Sequence, residues 1–120
     1  MGNILLGLFL VGHGIIHLGY LTSPPDDPKY PFRLSQSWLI TRRGFPAAPV
    51  AITGTTLGLI AVIGFAMAAL AKIGILPAAW DSSLIAISAV ASMSLLLLAW
   101  HQWLVLGVII NLVLLATTLL

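Results

Sequence analysis

The chain has 120 residues, of which 60% are hydrophobic and 7% charged. A soluble domain carries roughly 25% charged residues, so this chain lacks the polar surface to cover a water-facing core. A formal charge of +2, from five basic and three acidic residues, is too sparse for nucleic-acid binding, and the absence of cysteine excludes disulfides, thiolate metal sites and thiol nucleophiles.

A chain surrounded by lipid must satisfy its own backbone hydrogen bonds, which leaves helices or closed barrels. Barrel strands alternate apolar and polar over about ten residues. The stretches here are longer and apolar on all sides, as spanning helices of about 20 residues require. The first runs from about residue 2 to 21 and is stopped by Pro24 and Pro25. No Lys or Arg precedes Lys29 and no small-residue cleavage site follows Gly19, so the segment reads as a retained helix rather than a signal peptide.

The long connection, residues 22–47, opens with the turn-forming run Pro24-Pro25-Asp26-Asp27-Pro28 and carries Lys29, Arg33, Arg42 and Arg43. Phe32, Leu34, Trp38, Leu39 and Ile40 lie between the basic groups. Two readings stay open: a short helix lying in the headgroup region, or an ordinary loop folded over the bundle.

The second helix covers about 48–71, with Pro46 and Pro49 at its start, where a missing N–H costs little. Lys72 at its far end can snorkel to the interface. Pro77 falls in a short loop, and the third helix covers about 82–99 behind Asp81 or Ser82 as N-cap. One unbroken helix over 82–120 would be about 58 Å long, against a hydrocarbon core of about 30 Å. The chain must therefore reverse, and the polar break is Trp100-His101-Gln102-Trp103, with tryptophans suited to the membrane interface. The fourth helix covers about 103–120.

The expected fold is all-α: one integral-membrane domain over residues 1–120, a four-transmembrane-helix bundle with one long loop between helices 1 and 2. Lys29, Arg33, Arg42 and Arg43 outnumber Lys72 across the membrane, which puts loop 22–47 and the His101 turn in the cytoplasm and both termini outside.

Helices packed at a shallow angle meet along positions spaced three and four apart. In the first segment that spacing selects Asn3, Leu6, Leu10, His13, His17 and Tyr20, and an imidazole on this seam should face protein rather than lipid. In the second it selects Gly54 and Gly58, a small-xxx-small pattern for close packing within the bundle. The third contributes Ser88 and Ser92, and the fourth Gly107 and Asn111. Counting 1.5 Å per residue from the same membrane side, His17 lies about 6 Å deep, His13 about 12 Å and Asn111 about 15 Å.

His13 and His17, four apart on one face, have a spacing that can serve one metal. No Glu stands between them as in a zinc protease, and no intramembrane carboxylate completes a hydrolytic site, so neither a metal site nor a catalytic residue is assigned. Histidine can also be an axial ligand to haem or to a chlorophyll-type pigment, which makes His13, His17 and His101 candidate cofactor ligands. The simpler reading is hydrogen bonding across helices, for example His13 to Asn111, with Asn3, Tyr20, Ser88 and Ser92 as further polar packing residues. His101 between two tryptophans reads by itself as an interface anchor.

The run Gly12-His13-Gly14-Ile15-Ile16-His17-Leu18, three further apolar segments and the late Gly107-x-x-x-Asn111 resemble uncharacterised small four-helix membrane proteins of bacterial genomes with an HGxxH motif in the first helix. The resemblance implies a helical bundle in a bacterial cytoplasmic membrane and no particular activity.

The function expected is a non-enzymatic accessory or structural subunit, in contact with the bilayer and with other membrane subunits. The alternatives are a haem- or chlorophyll-type pigment-binding subunit of an electron-transfer or photosynthetic complex, and a small carrier or channel. Against the last, no helix carries a central charge or a Pro/Gly-broken core.

Overall fold

The computed structural model describes residues 1–22, 34 and 37–120, with Trp103 described by its backbone. Those residues are helical apart from turns and contain no strand. The helices are α1 (Gly2–Ile16), α2 (Leu18–Thr22), α3 (Ala47–Lys72), α4 (Asp81–Leu98) and α5 (Val105–Leu119). His17 alone separates α1 from α2 and keeps right-handed angles, φ −67° and ψ −19°, so the two make one rod and the bundle has four.

The interruption at His17 has a local cause. Its Nδ1 lies 3.0 Å from the His13 carbonyl oxygen, the acceptor its own backbone N–H would use in a regular helix. That N–H bonds instead to the Gly14 carbonyl, three residues back, and the turn tightens to 3₁₀ geometry.

Three rods are long and apolar enough to cross a membrane: Gly2–Thr22 (21 residues), Ala47–Lys72 (26 residues) and Ala78–Leu98 (21 residues). The fourth corrects an expectation. Helix α5 has 15 residues, preceded by a 3₁₀ turn at Gln102–Leu104, so its α-helical part is about 22 Å long rather than a full span. The chain reverses at residues 99–104 without Gly or Pro. Ala99 leaves the helix at φ −115° and ψ 54°, and the Leu104 N–H closes the turn on the His101 carbonyl.

At the other end, α3 stops at Gly74, whose φ of 83° suits a residue without Cβ. The Gly74 N–H bonds to Ala71 and the Ile75 N–H to Leu70, the paired bonds of a Schellman cap. Asp81, expected as an N-cap, is the first residue of α4, with Trp80 at the N-cap position and Asp81 Oδ1 without a hydrogen bond among the described residues. Its carboxylate pairs instead with Lys72 Nζ and ties the two ends of this loop together.

Of the long connection, the described part is a turn followed by a 3₁₀ helix at Thr41–Arg43, closed by Gly44 at φ 86°. The Ser37 N–H donates to Thr41 Oγ1, while Ser37 Oγ accepts from Leu39 and Ile40. Trp38 Nε1 donates to the Leu97 carbonyl at 2.7 Å, satisfying a terminal acceptor of α4 and fastening the connection to the α4–α5 end of the bundle. The proline-rich opening, Lys29 and Arg33 lie outside the described residues, as does most of the stretch considered for an interfacial helix.

Helix α1 packs on α3, α3 on α4, and α4 on α5. The core runs through Leu10, Ala61, Phe65, Ala68, Ile85, Ala89 and Leu114. Small residues allow the close crossings. A Cβ on Gly14 would sit 3.2 Å from the Phe65 Cβ, and one on Gly64 would overlap Ser88 Oγ. Several hydroxyls within the helices bond to their own carbonyls four residues back, as Thr53 does to Pro49, Thr56 to Ile52 and Ser94 to Val90.

Candidate functional site

The site is built by one residue pair on the first rod and one residue on each of two facing helices. His13 and His17 are one turn apart on α1 and the His17 turn, Ser92 is on α4 and Asn111 on α5; all four are buried. His13 Nε2 lies 3.1 Å from Asn111 Oδ1. Asn111 Nδ2 lies 2.7 Å from Ser92 Oγ, and Ser92 Oγ lies 2.6 Å from His17 Nε2. His17 Nδ1 returns to the His13 carbonyl. The four side chains therefore form a closed ring of hydrogen bonds that joins α1, α4 and α5.

The direction of this ring is fixed by its main-chain acceptor, the His13 carbonyl oxygen. A carbonyl cannot donate, so His17 Nδ1 carries the hydrogen. A charged imidazole inside an apolar span is costly, and in neutral His17 the other nitrogen is then an acceptor. Ser92 must donate its hydroxyl to it, leaving Ser92 Oγ to accept from the Asn111 amide. That turns Asn111 Oδ1 toward His13, which donates from Nε2. Donors thus run His13, Asn111, Ser92, His17 and back to His13. The ring leaves Nδ1 of His13 as a ring nitrogen that makes no hydrogen bond among the described residues.

The aromatic surroundings hold the rings in place. His13 meets His17 edge to face at a centroid distance of 5.3 Å and Phe65 at 5.0 Å. Phe65 lies on the α3 seam, at the same three-and-four spacing that selects Gly54 and Gly58 in the sequence.

Other candidates fall elsewhere. Tyr20 is buried beside the His13–His17 pair, in the wall of a cleft between the first rod and α5. His101 is half-buried in the α4–α5 turn and is not part of that cleft's lining. Ser88 is buried but donates to Leu84 of its own helix. Asn3 corrects the seam reading: it is exposed, because the first turn of α1 extends past the packed part of the bundle. A Cβ on Gly54 would meet Leu34 of the long connection, one on Gly58 would meet Leu21 and Leu95, and one on Gly107 would meet Leu96. Arg42 and Arg43 are exposed in the 3₁₀ turn.

Among the described residues no group of three or more His, Cys, Asp or Glu side chains could hold a metal ion. The histidine pair also does not suit a tetrapyrrole. Both Nε2 atoms are committed within the ring. The leftover Nδ1 lies next to its own main chain, beside a cleft of about 170 Å³. Pockets for drug-sized ligands run to about 300–1,000 Å³, and a macrocycle needs more than this cleft provides.

No protein-family model, curated protein or solved structure matches the chain.

Proposed function

We propose that the chain is a non-enzymatic polytopic membrane subunit that works through its apolar exterior, packed among other membrane polypeptides in a bacterial cytoplasmic membrane. Its three long rods cross the bilayer, and α5 with the 3₁₀ turn before it makes a shorter fourth crossing, which leaves the long connection and the α4–α5 turn in the cytoplasm and the termini outside. The observation that carries this reading is how the polar groups are used. The central histidines, serine and asparagine bond to one another, so most of their polarity is spent in holding α1, α4 and α5 together. What the rods present outward is large and apolar, including Leu5, Leu8, Ile52, Ile63, Ile87 and Leu106. Such a surface meets lipid or another subunit's helix equally well, since association in lipid is driven by packing rather than by water exclusion.

The test is extraction from the native membrane in a mild detergent, followed by size separation and mass spectrometry. The reading expects larger membrane polypeptides to travel with the folded chain. A folded chain that migrates alone with its detergent belt would overturn it.

A further inference from the structure

We propose that the cleft between α1 and α5 binds a single-ring aromatic hydroxyl compound, a phenol or hydroquinone, whose O–H donates to Nδ1 of His13. This goes beyond the subunit reading and stands whether or not other polypeptides accompany the chain.

The first ground is space. Helices α1 and α5 do not close on one another along a packed seam: α1 leans on α3, α5 leans on α4, and the His13–Asn111 bond spans the gap. The cleft left beside that bond measures about 170 Å³, with Leu96, Leu104, Gly107 and Ile110 among its apolar walls. A cavity of about 150 Å³ lined by apolar side chains stays dry and accepts benzene, so one six-membered ring matches the volume. Ile16 and Leu106 at the rim are mostly exposed on the outer face of the bundle, so a ligand would arrive sideways from the lipid.

The second ground is chemistry. The His13 side chain is 5% exposed and lines the cleft. The ring of hydrogen bonds spends its Nε2 hydrogen on Asn111 and leaves Nδ1 as an acceptor without a donor. An acceptor without a partner beside an apolar cleft is costly, and lipid tails carry no donor. An acyl chain could fill the volume and would leave Nδ1 unpaired. A quinone or an ether of the same size brings acceptors alone. An aromatic hydroxyl supplies the ring, the size and an acidic O–H in one molecule.

The experiment uses the full chain in nanodiscs with ¹⁵N-labelled histidine, titrated at matched free concentrations with phenol and with anisole, the same ring with its O–H capped by a methyl group. Phenol is expected to bind about tenfold more tightly, the upper end of one net hydrogen bond, and to shift the unprotonated ¹⁵N resonance of His13. Hydroquinone with and without an alkyl tail separates the sources. Displacement of phenol by the tailed form identifies a membrane hydroquinone, and displacement by the tailless form alone identifies a small free phenol; either supports the site. Ile110→Trp fills the cleft and should abolish binding while the His13 and His17 ring resonances stay in place, which shows that the fold survives. Equal affinity for phenol and anisole, an unmoved His13 resonance, or unaltered binding in folded Ile110→Trp would each overturn the proposal.

Discussion

His17 Nδ1 and the His13 carbonyl oxygen stand 3.0 Å apart, and this contact between neighbouring turns determines how three helices are joined. Because the carbonyl accepts only, the tautomer of His17 follows, then the donor role of Ser92, the rotamer of the Asn111 amide and the tautomer of His13. A local deviation from helix geometry in α1 therefore sets the polarity of contacts to α4 and α5.

Groups in such a ring should not act independently. Ser92→Ala and Asn111→Leu are each expected to destabilise the bundle by about 1–3 kcal/mol, since each leaves buried partners unsatisfied. The double variant should fall short of the sum by about 1 kcal/mol, because the second change removes bonds already broken by the first. Reversible unfolding in detergent measures all three, and strict additivity would contradict a shared ring.

The glycines divide by their neighbours rather than by their sequence pattern. Gly64→Ala places a methyl group on Ser88 Oγ, which is held by the Leu84 carbonyl at 2.6 Å, so α3 and α4 must separate or the serine must give up its bond. A loss of about 1–3 kcal/mol is expected. Gly12→Ala meets nothing within 4 Å and should be neutral or stabilising by up to about 1 kcal/mol. Equal effects in the same unfolding assay would show that the α3–α4 crossing is placed wrongly.

These contrasts also mark what could be read in advance. Four helical segments were legible because long apolar runs force backbone groups to pair internally. The 3.6-residue period put Leu10, His13, His17 and Tyr20 on one face, and counting rise per residue put His13 and Asn111 near one depth. Glycine roles were not legible. Gly12 and Gly14 have identical hydropathy, yet they point to opposite sides of α1, and Gly14 alone lies against Phe65. Gly7, Gly14 and Gly64 could have been found by asking which glycines share the histidine face or oppose a serine. Ser92 as the bridge was hidden for another reason, since a serine in an apolar helix usually bonds to its own backbone, as Ser88 does. The exposure of Asn3 depends on where packing ends, and periodicity carries no information about that.

The proposed orientation is open to a direct check because the chain has no cysteine of its own. Ser83→Cys and Gln102→Cys introduce exposed thiols at opposite ends of α4. In intact cells an impermeant maleimide should label Ser83→Cys, and should reach Gln102→Cys only after permeabilisation. The reverse pattern would invert the topology, and labelling of both from one side would deny that α4 crosses the bilayer.

The central claim is that the polar side chains of these apolar helices turn inward and satisfy one another as neutral groups. Nitrogen NMR of ¹⁵N-histidine-labelled protein in lipid bilayers at neutral pH tests it most directly, because the two imidazoles are required to be different tautomers. The account predicts a hydrogen on Nε2 of His13 and on Nδ1 of His17. The same tautomer on both rings, or a doubly protonated ring at either position, would contradict it.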